Sequence, residues 1–376
     1  LNIKEFGDTV LEHGIGKFRT LETGVYLSKV ILLSPDAVPD ASKLPTMKVI
    51  IPVAGIGSKL RPHTHTQPKA LVPVAGKPIL SHIVDSLVRA GMTDFIFIIG
   101  YLGDKVEAYI RANYPFLQTT FLLQEPREGT GHAVWLARDL VRTDDELMIA
   151  LGDTVFDVDL KSIVSFPGST LGVKRVEDPR NFGVAEVDES GNIRRLVEKP
   201  SIPKSNLALV GLYKIKEGKK LMEALDRNIS ENIRSYNEFQ LTDAIEVMIR
   251  GGEIFSTFPV ENWYDCGNKE SLLETNAVLL QKEAPAPPAR NFPNTIIIPP
   301  VSIAPNCRIS NSIIGPKVSI GDNTIINYSI LSDSIIGSYA QLENAVLHHS
   351  VIGSDASLRG MSQSLNLGDN TEIDFG

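Results

Sequence analysis

From Ile303 to Leu358 a branched aliphatic residue returns every five or six positions: Ile303, Ile309, Ile314, Ile320, Ile326, Leu331, Ile336, Leu342, Leu347, Ile352 and Leu358. Neither a helix, with a period of about 3.6, nor an alternating strand, with a period of about 2, produces this spacing. Gly315, Gly321, Gly337 and Gly353 each follow one of these residues, where a tight corner needs a residue without a Cβ. The pattern is that of a left-handed or other parallel β-helix, each face of each coil sending one aliphatic side chain into a central column. A coil buries its apolar surface only against its neighbours. A solenoid of about 80 residues therefore needs a cap or a partner, and we expect a homo-oligomer formed through it.

Upstream the pattern changes. The chain's 376 residues exceed what one core usually serves. From Met47 β-branched runs alternate with amphipathic stretches: strands are expected at 47–53, 94–99, 119–123 and 147–151, and helices from Pro78 to Gly91, at 104–112 and at 133–141. Strands and helices in turn predict a Rossmann-like, doubly wound, mostly parallel sheet, an α/β fold whose ligands sit beyond the carboxyl ends of the strands. A helical stretch at 269–282 runs into Glu283-Ala-Pro-Ala-Pro-Pro-Ala289, whose prolines suit a stiff spacer. The expected organisation is 1–46, an extension without an assigned fold; 47–282, the α/β domain; 283–296, a Pro-rich linker; and 297–376, the β-helix. The chain opens on Leu1 and its first Met is Met47, so residues 1–46 are read as a fragment's start, a processed end or an extension upstream of the natural start, with no function asked of them.

Composition closes several routes. Hydrophobic residues make up 43% and charged residues 22% of the chain, as in packed water-soluble proteins. No apolar run approaches the roughly 18–20 residues of a membrane span, and no basic stretch followed by an apolar block opens the chain. The two cysteines, Cys266 and Cys307, make neither a disulfide framework nor a C-x-x-C metal spacing, and a reducing cytoplasm is expected. A net charge of −8 gives no overall attraction for a nucleic acid, though a local basic pocket can hold a small phosphate ligand.

The chemistry-bearing residues begin after the first strand with Val53-Ala-Gly-Ile-Gly-Ser-Lys-Leu-Arg-Pro62, followed by Pro68-Lys69. A glycine-rich turn at a strand end lets backbone N–H groups approach an oxyanion, and nearby lysines add charge. It is not the dinucleotide fingerprint, since Leu60 stands where the third glycine belongs, and the chain contains no Walker sequence. Further on come Gln124-Glu-Pro-Arg-Glu-Gly-Thr-Gly-His-Ala133, Leu151-Gly-Asp153, Asn181-Phe-Gly-Val184, Glu198-Lys-Pro200, Gly211-Leu-Tyr213, Asn237-Glu238 with Leu241-Thr-Asp243, and Trp263-Tyr-Asp-Cys-Gly267. In this order, over roughly residues 47–282, the set resembles the sugar-1-phosphate nucleotidyltransferases, also called nucleoside-diphosphate-sugar pyrophosphorylases. It is closest in motif to the glucose-1-phosphate thymidylyl- and uridylyltransferase types. The hexapeptide tail resembles that on several branches of the family.

The resemblance implies in-line attack of a sugar-1-phosphate oxygen on the α-phosphorus of a nucleoside triphosphate, a step that asks mainly for positioning and charge neutralisation. It implies Asp153 and Asp265 as ligands of a shared Mg²⁺. Two carboxylates converging without a cation would raise each other's pKa. It implies Lys69 at the triphosphate and Lys199 at the sugar phosphate, with Asp153 completing the catalytic set. Ala54, Gly55, Gly57, Ser58, Lys59, Gln124, Gly129 and Thr130 would bind the nucleotide, the Gln124 amide favouring uracil or thymine. Asn181, Gly183, Glu198, Gly211 and Glu238 would line the sugar pocket. Lys59 departs from the family's arginine; a point charge replaces a planar two-pronged donor, and Arg61 stands two residues on. His132 is read as orienting or capping the next helix, and His63 with His65 as part of a solvent-facing loop without a third metal ligand. Cys266 is read as an inert small residue unless its pKa is depressed.

Three readings follow. The first is a Mg²⁺-dependent transferase using dTTP or UTP with glucose 1-phosphate. The second keeps nucleotidyl transfer but changes the substrates, to mannose 1-phosphate with a guanine nucleotide or to N-acetylglucosamine 1-phosphate with UTP and an added acyltransfer served by His348-His349. The third is a catalytically silent sugar-nucleotide sensor, for which Lys59 is the best support.

Overall fold

The computed structural model describes residues 47–283, 291–363 and 365–374. Residues 1–46 and residues 284–290, half of the expected spacer, lie outside them. The first element is β1 (Met47–Pro52), followed by α1 (Ile79–Arg89), β2 (Asp94–Ile99), α2 (Gly103–Asn113), β3 (Gln118–Leu123), α3 (Thr130–Trp135) and β4 (Glu146–Ala150). Then come β5 (Thr154–Asp157), β6 (Ser169–Arg175), β7 (Gly183–Val187), β8 (Ile193–Glu198) and β9 (Leu207–Ile215). Two helices, α4 (Gly218–Ser230) and α5 (Leu241–Arg250), precede β10 (Phe255–Pro259), β11 (Asn262–Asp265) and α6 (Lys269–Glu283).

The central sheet runs β8-β7-β9-β4-β1-β2-β3, with β6 pairing β9 and β10. Its pairs β4–β1, β1–β2 and β2–β3 are parallel, as right-handed crossovers through helices require. The chain leaves β1 toward β2 on one side and later returns to β4 on the other. That reversal opens a crevice at the carboxyl ends of β1 and β4. Val49, Ile50 and Ile51 of β1 and Met148 and Ile149 of β4 are fully buried, which explains their continuous apolar runs: both faces of a parallel sheet are covered.

The helix expected at 133–141 differs. It starts earlier, at Thr130, ends at Trp135, and tightens into a 3₁₀ turn at Arg138–Leu140. Its start is set by Gly129, whose φ of +103° is closed to other residues and where a Cβ would lie 2.5 Å from the Phe239 carbonyl oxygen.

The C-terminal strands form two all-parallel sheets, the arrangement of a left-handed parallel β-helix. The periodic aliphatics sort into three inward columns: Ile303, Ile320, Ile336 and Ile352; Ile309, Ile326, Leu342 and Leu358; and Ile314, Leu331 and Leu347. Neighbours within a column are one coil apart in register. Among the described residues no helix is long and apolar enough to cross a membrane.

Candidate active site

A cleft of about 260 Å³ opens where β1 and β4 end. Its floor is Pro52–Gly55 and Leu151–Asp153, which follow directly from those two strands; Lys69, Gln124, Arg127, Gly129, Thr130 and Glu238 complete the wall. The Gly152 N–H donates to the Pro52 carbonyl at 3.2 Å and ties the two strand ends together.

Charge gathers at one end. Lys69 Nζ lies 2.7 Å from Asp153 Oδ2, in an ion pair at the cleft wall. Asp265 is brought to the same place by β11, which pairs antiparallel with β5 so that Asp265 stands opposite Thr154, while the Cys266 N–H donates to the Asp153 carbonyl at 3.1 Å. The two carboxyl groups respond oppositely. Burial raises Asp153, but the Lys69 ammonium, by charge and by hydrogen bond, more than offsets this and holds it below the ordinary carboxylate range. Burial first and the charge of Asp153 second push Asp265 up, with Lys69 and Lys59 acting against them. Burial pushes the Cys266 thiol up to about 12, which leaves it an inert neighbour.

At the other end Gln124 is buried, its Nε2 donating to the Gly129 carbonyl at 2.9 Å and lying 3.3 Å from His132 Nδ1. His132 therefore steadies this amide. Both Gln124 donors point at protein acceptors, leaving the amide oxygen as its acceptor face. Glu238 lies against Gly129, at the Gln124 end of the cleft.

Gly57 stands just outside the lining. Its φ is +69°, and a Cβ there would meet the Lys69 Cβ at 2.9 Å, so this glycine makes room for the lysine stem. Ser58 and Lys59 are exposed in the short turn that follows. The remaining sugar-site candidates form a second group. Gly183 and Glu198 face each other across the β7–β8 pair, and the Thr242 hydroxyl donates to Glu198 Oε2 at 2.8 Å. Lys199 follows with a φ of +40°, its N–H donating to the Phe182 carbonyl at 3.0 Å beside Asn181, and its ammonium 3.6 Å from Glu198. A lysine in the left-handed region is strained, and such strain persists where the surroundings enforce it. Here the Tyr236 hydroxyl binds the Lys199 carbonyl. Gly211 sits at the irregularity in β9, accepting the Leu151 N–H at 2.9 Å. Tyr213 links the two groups: burial first, then the charges of Glu198 and Asp153, push its hydroxyl up.

Arg127, Thr242 and Tyr213 lie within the motifs named above but carry no signal of their own in the sequence; only the fold shows Arg127 in the cleft wall and Thr242 on Glu198. One expectation is corrected. His63 is buried, with Thr64 beside it, and bonds to Asn366 of the β-helix; the solvent-facing loop foreseen for His63 and His65 holds for exposed His65 alone.

Residues 48–282 match the family described as nucleotidyl transferase. The chain is 38% identical over 236 residues to the bifunctional protein GlmU of Methanocaldococcus jannaschii, covering 63% of this chain and 55% of that protein. It is 35% identical over 246 residues to a glucose-1-phosphate thymidylyltransferase of Streptomyces griseus, covering 64% and 68%. The match thus spans little more than half of the first relative and about two thirds of the second. A crystal structure of UDP-glucose pyrophosphorylase complexed with UDP-glucose superposes with a TM-score of 0.55 at 26% identity, over 63% of this chain and 99% of that one.

Proposed function

The chain belongs to the nucleotidyl transferase family, and on that premise we propose that it joins dTTP or UTP to a sugar 1-phosphate, glucose 1-phosphate first among them, releasing pyrophosphate. The observation that carries this reading is one continuous cleft with Lys69 paired to Asp153 at one end and the anchored Gln124 amide at the other. In the reaction a sugar-phosphate oxygen bonds to the α-phosphorus as the bond to the pyrophosphate oxygen breaks. Lys69, held by Asp153 before any substrate arrives, presents positive charge where it develops at phosphorus. Lys199, fixed by its constrained backbone, meets the sugar phosphate. Glu198, held by Thr242, accepts from a sugar hydroxyl. The free amide oxygen of Gln124 suits the imide N–H of uracil or thymine.

Asp153 and Asp265 fit a hard dication. Both offer carboxylate oxygens, and their mutual repulsion is relieved by one. Among the described residues no three acidic, histidine or cysteine side chains are placed to hold a metal ion together, so substrate oxygens and water would complete the shell, as is usual for Mg²⁺. When bound, Mg²⁺ supplies neutralisation of phosphate charge.

The test pairs each nucleoside triphosphate with glucose, mannose and N-acetylglucosamine 1-phosphates and reads phosphate after pyrophosphatase. We expect the highest kcat/KM with UTP or dTTP and glucose 1-phosphate, and loss of turnover on chelation. Asp265→Asn should lower kcat about a hundredfold or more with little change in Tm. Nucleotide binding without pyrophosphate release would sink the reading in favour of a silent sensor. The kinship with GlmU favours a second reading, uridylyl transfer to N-acetylglucosamine 1-phosphate, which the same panel decides.

A further inference from the structure

Between β1 and α1 the chain carries Lys59 and Lys69 on nothing sturdier than three-residue 3₁₀ turns and a hairpin of two-residue strands. Such pieces hold themselves weakly. Within the α/β part His82 bonds the Val74 carbonyl, and Tyr101 and Lys105 bond the His65 and Thr66 carbonyls; the β-helix adds a hold from outside through one outward-facing ladder, in which Ser302, Ser319, Ile335, Val351 and Asn366 succeed one another coil by coil. At its first coils a Cβ on Gly76 would lie 2.3 Å from Ser302 Oγ, and the Ser319 hydroxyl and Ala75 N–H both donate to buried Asn276 Oδ1, at 2.6 and 2.9 Å. Midway, Ile335 and Val351 join the hydrophobic core of the α/β part.

The coil that carries Asn366 and Asp369 reaches the loop 61–66. His63 Nε2–H donates to Asn366 Oδ1 at 2.5 Å, Asn366 Nδ2 donates to the Arg61 carbonyl at 3.5 Å, and the Thr66 hydroxyl donates to the Asp369 carboxylate. The other Asp369 oxygen accepts the Ser354 N–H at 2.7 Å, so the loop hangs on a carboxylate already fixed in its own corner. A Cβ on Gly353 would meet the Gly368 carbonyl carbon at 2.4 Å, and a Cβ on Gly368 would meet Pro62 at 2.9 Å. Pro62 thus takes the place a further coil would take. From this loop the path to Lys69 is short: the Thr64 hydroxyl donates to the Gly57 carbonyl at 2.8 Å, and Gly57 abuts the Lys69 stem.

We propose that Asn366 and Asp369 are positioning residues for nucleotidyl transfer, holding the 61–66 loop and through it Lys69, while the loop in return covers the edge of their coil. This rests on the reading of the cleft given above. Small displacements of a charge-placing group cost much rate, so loosening the loop should show in the handling of the triphosphate and spare the sugar phosphate, whose Lys199 directly follows β8.

In the full chain, Thr66→Val removes the loop's bond to Asp369, and Asn366→Ala its bonds to His63 and Arg61, while both leave the Asp369 bond to Ser354 intact. In Thr66→Val we expect the KM for the nucleoside triphosphate to rise, or kcat to fall, by about tenfold, with the KM for sugar 1-phosphate unchanged, recovery in Thr66→Ser, and little further loss when Asp369→Ala is added to Thr66→Val. Asn366→Ala should shift the triphosphate kinetics the same way. Parent-like triphosphate kinetics in Thr66→Val would overturn the proposal, as would an equal loss in Asp333→Asn, a β-helix change remote from the loop. Absence of turnover in the parent would instead overturn the reading of the cleft. Amide hydrogen exchange at 57–66 then decides the hold separately: faster exchange in Thr66→Val/Asp369→Ala supports it, and unchanged exchange refutes it.

Discussion

Gly55 and Gly57 stand two residues apart in one turn and are glycine for different reasons. A Cβ on Gly55 meets nothing within 4 Å, and the residue faces the cleft, whereas Gly57 has φ +69° and the Lys69 Cβ at 2.9 Å. Gly55→Ala should therefore fold like the parent and raise the KM for nucleotide, because the added methyl occupies ligand space. Gly57→Ala should lose on the order of 1–3 kcal/mol in urea denaturation and lose turnover with it, since both its backbone and the lysine stem must give. The glycine-rich character of this turn was plain in the sequence. Which glycine serves the ligand and which serves the lysine was not, because that depends on the approach of a residue a dozen positions away.

At the scale of elements, α1 shows how a helix is tied to its surroundings. Its apolar face was evident from Ile79, Leu80, Ile83, Val84 and Leu87, all buried, but His82 on the same helix is buried too. Its Nε2–H donates to the Val74 carbonyl at 2.9 Å, pinning the hairpin that precedes the helix. Burial first and Lys77 second lower its pKa to about 4; the Glu283 carboxylate 3.6 Å away is 45% exposed and too well screened to reverse this. His82 is thus neutral in the fold. Between about pH 6.5 and pH 4 the unfolded chain takes up a proton that the native state refuses, so unfolding free energy falls as pH drops through that window and is fully present above it. We expect this one group to account for a loss on the order of 3 kcal/mol by pH 4. Urea midpoints at a series of pH values should show a flatter acid limb in His82→Gln than in the parent. A parent curve no steeper than the variant's would contradict the assignment.

For the molecule as a whole, the β-helix has outward ladders with different fates. One, from Ser302 to Asn366, is covered by the α/β part. Another runs through Ile296, Ile313, Ile330 and Val346 and stays open, with Ile296 60%, Ile330 44% and Val346 42% exposed. A row of exposed β-branched residues is the kind of surface that an oligomer of such a solenoid would cover, so the expectation of self-association can be tested here. Light scattering after size exclusion should show Ile330→Lys at a lower mass than the parent, with Tm little changed; an unaltered mass would remove this face from the interface.

What the sequence determined by itself was periodic or ordered along the chain: the three inward columns of the solenoid, the parallel core strands, and the succession of motifs that marks the family. Each follows from local geometry, since the residue spacing alone says which side chains share a face. Tertiary structure alone decided which outward ladder is covered, that His63 is buried at an inter-element contact, and that the surroundings push the pKa of Asp153 down and that of Asp265 up. These depend on distances through space between segments far apart in the chain, and burial and Coulomb interaction act across such distances without leaving a period in the sequence.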